Sequence, residues 1–598
     1  MKRNRFVLSV VAVISLAVLI PVIQSIRQRA GRVNILLITL DTTRADRLGC
    51  YGYREALTPA LDKLAARGVL FENAYTPVPI TLPAHTSIVT GLYPPEHGLR
   101  TNGKNSLGAG IPTLAEILSA EGYDTAAFLA AFVLDSKFGL DRGFQIYNDD
   151  LTGAEPNPDK SHRYRPAELV VGSAMTWLKH RDEKPFFCWV HLFDPHLPYH
   201  EHAGTFGDRF AGKPYDAEIA YVDQQIERLV DFLESQNIKD RTLIIVAGDH
   251  GESLGEHDEE FHSMMVYNST MRIPLIANHP KLCNPNGRVS TPVSLVDIFP
   301  TILDCVGIDH PQPISGRSLK GSLQGQELEP VSLYGETEEP FFEAGWSPLQ
   351  SVTTAQWKFI RTTRVELYDL KRDPTEEHNL AAENRDKVQE LEKTLAEMVG
   401  RMRLRTARDV ELTAQEKKVL ASLGYTAGNS PAKGSGPQKE LLDIKDMIGH
   451  FNKLGDAKVL IAQRNYQAAV PVLEDILNDD EDYYKARASL GICYARLGRL
   501  DEAVTNFEQT LELVPDSDRV HAALGATLMM QKKFERAITS LSTSLKINPN
   551  SALVHYNMGE SLRQVGKTDE ARTHYLESLK LDPNFAPARK ALSSLPKQ

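Results

Sequence analysis

The chain has 598 residues, with 67 Lys+Arg against 78 Asp+Glu for a net charge of −11, 42% hydrophobic and 24% charged residues. At roughly 150 residues per domain this is material for about four domains, so a lone small module is excluded. The balance also excludes a disordered or collagenous chain, and a protein that holds nucleic acid through bulk charge.

After Met-Lys-Arg-Asn-Arg, the run Phe6 to Ile26 is 21 residues long and free of charge. As a helix it would span about 30 Å, the thickness of a bilayer core. It ends in Gln24-Ser25-Ile26-Arg27 without a small-residue cleavage site. Residues 1–32 are therefore expected to be an uncleaved signal anchor, a single transmembrane helix. Lys2, Arg3 and Arg5 balance Arg27, Arg29 and Arg32, so flanking charge does not set the orientation. The short leading tail favours a cytoplasmic N-terminus with the rest of the chain on the extracytoplasmic, periplasmic side of the cell membrane.

From Val33 the pattern changes to short apolar runs separated by helical stretches, as in a parallel sheet covered on both faces. The expected strands are Val33–Leu40, Thr125–Ala131, Phe186–Leu192 and Thr242–Ala247; Thr58–Arg67, Ile111–Ala120 and Tyr215–Asn237 read as crossover helices. Three of the runs stop at an acidic residue: Asp41, Asp194 and Asp249. Ligands in open α/β sheets bind beyond the carboxyl ends of the strands. Asp41 and Asp249-His250 thus outline a metal site, whose imidazole favours Mn²⁺ or Zn²⁺ over Ca²⁺. In the stretch Asp249 to His262 (DHGESLGEHDEEFH), Gly248, Gly251 and Gly255 interleave Asp249, His250, His257 and His262. Such a loop could approach a ligand closely. Asp258 to Glu260 read as its solvated part. Upstream, Pro83 suits the first turn of a helix running to Leu92, which would put Thr81 at the N-cap.

The α/β domain is expected to span 33–425. Residues 426–449, which include the Gly/Ser/Pro-rich stretch Thr426 to Lys439, read as a linker. Beyond it, Gly491, Gly525 and Gly559 are 34 apart, as are Pro515, Pro549 and Pro583, and Ala503, Ala537 and Ala571. Leu477, Leu511, Leu545 and Leu579 carry the period one unit earlier, with Ala457 and Ala469 in phase. This pattern resembles the tetratricopeptide repeat: four units over 450–585, with a capping helix in the remainder to 598. Such an all-α solenoid presents a concave surface to protein partners. The five cysteines (Cys50, Cys188, Cys283, Cys305, Cys493) are scattered, without a C-x-x-C.

The ordered segments ILLITLDTTRADRLGCYGY, TLPAHTSIVTGLYPPEHGLRTNG, VHLFDPHLPY, VAGDHGESLGEH, MRIPLI and ELYDLKRDPTEEHNLA resemble the sulfatase branch of the alkaline phosphatase superfamily over about 33–425. The resemblance implies an α/β fold with a central, mostly parallel sheet and a metal-bound nucleophile that forms a covalent enzyme ester. Carried over, Asp41, Asp249 and His250 fall at metal ligands and Thr81 at the nucleophile, itself a metal ligand. His85 stands at the pocket arginine. Asn102 and His196 fall where groups hold the ester oxygens, His257 at the acid that protonates the leaving group, and His262 near a basic substrate-binding position.

The departures are chemical. Thr81 replaces the Cys or Ser that becomes formylglycine, His85 replaces the arginine, Thr42 an aspartate and Ala130 a lysine. A threonine nucleophile among Asp and His ligands resembles the superfamily's phosphodiesterases and phospho-group transferases. The expected function is a membrane-anchored, metal-dependent ester hydrolase or transferase, phosphoester ahead of sulfate ester, acting on a lipid or glycan head group. The alternatives are a sulfuric ester hydrolase without formylglycine, and an inactive scaffold whose repeats bind partners.

Overall fold

The computed structural model describes residues 32–151, 164–199, 202, 204–413, 416, 419–420 and 441–596. The apolar segment 6–26 and the stretch 426–439 lie outside them. No described helix is long and apolar enough to cross a membrane.

The centre of the α/β domain is a nine-stranded sheet. Its strands are β1 (Asn34–Leu40), β2 (Val69–Tyr75), β3 (Asp124–Phe128), β4 (Ile146–Asn148), β5 (Phe186–Leu192), β6 (Thr242–Gly248), β7 (Arg272–Asn278), β8 (Gly287–Val289) and β9 (Val293–Ser294). Their spatial order is β9-β2-β7-β6-β1-β5-β3-β4, with β8 beside β2. All pairings are parallel except those of β7, which runs antiparallel to both β2 and β6. Every residue of β1, β5 and β6 is buried. That explains why these strands read as unbroken apolar runs: helices cover both faces.

The crossover helices are α1 (Pro59–Ala66), α2 (Thr81–Thr90), α3 (Leu114–Ala120), α4 (Ala167–His180), α5 (Pro214–Ser235) and α6 (Ile298–Val306). α3 starts three residues later than the expected Ile111, because Thr113 caps it by accepting from the Glu116 N–H. A second, four-stranded antiparallel meander was not anticipated: β10 (Leu333–Thr337), β11 (Leu349–Thr353), β12 (Trp357–Arg361) and β13 (Val365–Asp369). α7 (Glu339–Ala344) joins β10 to β11, and α8 (Arg385–Arg401) packs on the meander through Leu391 and Leu395.

The repeats form antiparallel helix pairs: α9 (Ile444–Ala462) with α10 (Tyr466–Asp479), α11 (Tyr484–Arg496) with α12 (Leu500–Leu513), α13 (Asp518–Met530) with α14 (Phe534–Ile547), and α15 (Ala552–Gln564) with α16 (Thr568–Leu581). α17 (Ala586–Ser593) caps them. The first helix begins at Ile444, inside the segment read as linker, because the Asp443 side chain caps it at Lys445 N–H. The recurring glycines are steric. A Cβ on Gly491, Gly525 or Gly559 would come within 2.7, 2.6 and 2.6 Å of Phe507, Leu541 and Tyr575 on the paired helix. The five cysteines are free.

Candidate active site

Register brings the acidic strand ends together. Leu40 pairs with Leu192 on one side and Gly248 on the other. The next N–H groups cross over: Asp41 N–H donates to the Leu192 carbonyl at 2.9 Å and Asp249 N–H to the Leu40 carbonyl at 3.1 Å. Asp41 and Asp249 therefore leave the sheet side by side, both fully buried. His250 follows, and its Nδ1 lies 2.9 Å from the Gly251 carbonyl. A carbonyl only accepts, so Nδ1 carries the proton and the Nε2 lone pair faces the carboxylates, 3.5 Å from Asp249 Oδ2 and 3.9 Å from Asp41 Oδ1. One ligand atom from each of Asp41, Asp249 and His250 can be chosen so that all lie within 4.8 Å of one another.

The donor set fits a divalent cation. Neither oxygen of Asp41 nor Asp249 Oδ2 has a hydrogen-bond partner, although all are buried. Asp249 Oδ1 is held by the Thr42 and His250 N–H groups, at 3.2 and 2.7 Å. Burial pushes both carboxyls well above their ordinary 3.8, and next in size come the Glu252 charge for Asp41 and the Asp41 charge for Asp249. A bound cation would reverse that cost.

Thr81 opens α2, all ten residues of which are buried. The expected cap role is corrected: Thr81 is the first helical residue, Ile80 is the N-cap, and the helix ends at Thr90 before Gly91 in the left-handed region. The reason is that Asn102 Oδ1 accepts the Leu82 N–H at 2.9 Å, leaving the Thr81 hydroxyl for other work. Thr81 Oγ1 sits 3.3 Å from His250 Nε2. Pro83, lacking an N–H, falls in the first turn where none is needed. One turn on, His85 Nδ1 donates to the Thr81 carbonyl at 2.8 Å and lies 3.6 Å from Asp249 Oδ2. Its ring packs beside Trp189 and edge-on to His191.

His196 and His262 form the most accessible side of this buried set, at 6% and 7% exposure against 1% for Thr81. The His262 ring lies 4.6 Å from that of His250 and 5.1 Å from that of His196. His262 Nδ1 is 2.8 Å from buried Glu252 Oε1. Burial depresses the His262 imidazole to about 3 and holds His85 and His250 well below 6.5. All three rings are neutral near pH 7.

Two expectations fail in the loop after Gly255. His257 is turned away from Thr81: its ring stacks on Tyr267 at 3.6 Å and its Nε2 lies 3.0 Å from the Thr375 carbonyl. The cause is local, since His257 has φ 55° in a tight turn, which aims its side chain to the far side of the loop. Glu259, read as solvated, is 2% exposed. Its Oε1 accepts the Met264 and Met265 N–H groups at 2.9 and 3.1 Å and so forms the loop's inner brace. Asp258 and Glu260 are exposed as expected.

Two neighbours escaped the sequence reading. His191 lies with Nε2 3.3 Å from Asp41 Oδ2, and Glu252 stands behind His262. A signal for His191 existed: it is the one strongly polar residue of FFCWVHL, and pairs with Thr39. Asp194, the third acidic strand end, instead holds the N-terminus of α4, accepting the Ala167 N–H. The close packing at Gly251 makes a prediction. A Cβ there would lie 2.1 Å from the Ser269 carbonyl oxygen. Gly251→Ala is expected to displace His250 and weaken divalent-cation binding about 10- to 100-fold, measured by titration calorimetry with Mn²⁺.

Residues 33–308 match the sulfatase family, 255–405 the C-terminal region of N-sulphoglucosamine sulphohydrolase, and 460–527 and 552–585 tetratricopeptide repeats. The chain carries a sulfatase-family hydrolase domain of the alkaline phosphatase-like superfamily, followed by these repeats. It is 26% identical over 420 residues to the uncharacterised sulfatase YidJ of Escherichia coli, covering 58% of this chain and 83% of that one. It is 24% identical over 488 residues to an N-acetylglucosamine-6-O-sulfatase of Bacteroides thetaiotaomicron, covering 62% and 87%. The fold matches a structure solved with its substrate D-glucosamine-2-N,6-O-disulfate (TM-score 0.56, 22% identity, 62% and 98% coverage). It also matches the phosphonate monoester hydrolase of Agrobacterium radiobacter (TM-score 0.52, 22% identity, 62% and 96% coverage).

Proposed function

We propose that the α/β domain cleaves singly charged tetrahedral esters (phosphodiesters, phosphonate monoesters and, less well, sulfate esters) with Thr81 as nucleophile, passing the group to water or to an acceptor alcohol. The observation that carries this reading is the Thr81 hydroxyl 3.3 Å from His250 Nε2, beside two buried carboxylates. Asp41, Asp249 and His250, with Thr81, would hold one divalent cation, Mn²⁺ or Zn²⁺ by the imidazole in the set. When bound, such a cation lowers the pKa of a coordinated hydroxyl and offsets charge on the ester's oxygens.

The chain's own groups account for the rest. Asn102 fixes the first turn of α2, so that Thr81 presents Oγ1 rather than capping its own helix. Thr81 Oγ1 bonds to phosphorus or sulfur as the bond to the ester oxygen opposite breaks, and the threonine proton passes through solvent to that departing oxygen. His196 and His262, not His257, stand on the accessible side where that oxygen departs. Attack by water or an alcohol on the Thr81 ester then frees the threonine.

Charge supports the substrate class. Arg100 is paired with Glu336 and Glu338, and Arg44 with Asp46 and Glu256, so neither guanidinium brings uncompensated positive charge. The two carboxylates that would hold the cation sum with it to zero, and His85, His250 and His262 are neutral. A monoanion loses less by entering than a dianionic phosphate monoester does. The apolar segment 6–26 would anchor this chemistry at the cell membrane, directed at lipid or glycan head groups on the extracytoplasmic side, with the repeats open to protein partners.

The test is turnover of a 4-nitrophenyl panel with Mn²⁺ or Zn²⁺. Phosphodiester or phosphonate cleavage at least about tenfold above the phosphate monoester is expected. No turnover of any ester, together with no retained metal, would leave the repeats as the working part.

A further inference from the structure

The repeats are built into the catalytic domain from two directions. On the first, α9 packs Ile444, Met447, Ile448 and Leu454 into one apolar cluster with Met264, Met265, Val266 and Tyr267. Asn452 Nδ2 donates to the Asp258 carbonyl at 2.7 Å. These contacts meet the loop Gly255–Tyr267, which carries His262 and whose secondary structure is one short turn at Glu256–Asp258. Such a loop has few backbone bonds of its own, so its position is set by what packs on it.

On the second, Lys485 of α11 makes an ion pair with Glu343 of α7, both side chains largely buried. One turn earlier on α7, Glu339 accepts from Thr101 Oγ1 at 2.5 Å. The neighbour of Thr101 is Asn102, which holds Leu82 N–H at the start of the nucleophile helix. Trp346, just after α7, locks this joint: its Nε1 donates to Asp480 Oδ2 at 2.8 Å and its ring meets Tyr483 at 4.8 Å.

We propose that repeats 1 and 2 position the active site: Asn452, through Asp258, holds the loop bearing His262, and Lys485, through Glu343 and α7, holds the Thr101–Asn102 brace of the Thr81 helix. Asn452 and Lys485 are positioning residues and touch no reacting atom. The inference takes from the function proposed above only that His262 and Thr81 belong to the working site. A partner bound to the array would then act on catalysis through these two joints.

The experiment is hydrogen exchange followed by mass spectrometry on the full chain, a readout that needs no turnover. Asn452→Ala is expected to speed exchange about tenfold in 255–267 while leaving 99–104 unchanged. Lys485→Met should do the reverse, loosening 99–104 and 339–344 but not 255–267, and Glu343→Gln repeats that test from the other side. Strands 34–40 and 242–248 should keep their protection in every variant. In turnover, Asn452→Ala should lower kcat about tenfold and Asn452→Gln should restore it. Unchanged exchange in both segments overturns the proposal. Altered exchange in a chain that cleaves no ester supports the positioning role and fails the function proposed above instead.

Discussion

Replacing Thr81 by alanine is expected to lower kcat by on the order of 10⁴-fold or more, with the fold intact. The hydroxyl is the only group at the start of α2 that can form a covalent ester: Ile80 and Leu82 are apolar, Pro83 lacks even an N–H, and His85 has its Nδ1 committed to the Thr81 carbonyl. Because Asn102 already satisfies Leu82 N–H, losing the Thr81 side chain should cost little helix stability. Thr81→Ser keeps the hydroxyl and should recover most of the rate. Rapid-quench mass spectrometry on the wild-type chain should find the transferred group on the peptide containing Thr81. A Thr81→Ala chain within tenfold of wild type would remove threonine from the chemistry.

The second large effect concerns the paired carboxylates. Asp249→Asn is expected to abolish turnover by about 10³-fold or more and to remove the stabilisation that added Mn²⁺ or Zn²⁺ confers, about 2.7 kcal/mol at 100 times Kd for the wild type. In metal-free protein the same substitution should raise Tm or leave it unchanged, because Asp249 is buried beside Asp41 with no cation to offset the pair. The pH dependence has a definite sign. Both carboxyls have folded-state values raised well above the ordinary 3.8. The metal-free fold therefore holds extra stability at low pH and loses it as pH rises from about 4 through the raised values. Cation binding needs the ionised forms, so the metal-induced rise in Tm should grow over that same interval and vanish in Asp249→Asn. Differential scanning calorimetry with and without Mn²⁺ at several pH values measures both. A metal effect that is flat with pH, or that survives Asp249→Asn, would place the cation elsewhere.

Much of this site is local in sequence and was readable there. A buried parallel strand must be apolar throughout, so the point where VNILLITL and TLIIVAG give way to aspartate marks both the strand ends and the ligand edge. Asp41, Asp249 and His250 followed from that alone. The 34-residue spacing of glycine, alanine and proline similarly carried the helix pairs of the array, because each glycine answers a neighbour one helix away. What periodicity could not reveal was the direction of a side chain on an irregular loop. His257 and His262 are five residues apart in the same stretch, yet a left-handed backbone at His257 sends one to Tyr267 and the other to His250.

The sequence by itself determined the α/β class, the strand ends at which Asp41, Asp249 and His250 meet, and the repeat array, since each rests on a pattern within a few residues or a fixed period. Only the tertiary structure decided that Asn102 frees Thr81 from capping, that His191 and Glu252 stand behind the site, that Glu259 faces inward, and that repeat 1 meets the loop bearing His262 while repeat 2 meets α7. These depend on contacts between residues far apart in the chain, which are made when burial leaves a polar group with one remaining partner.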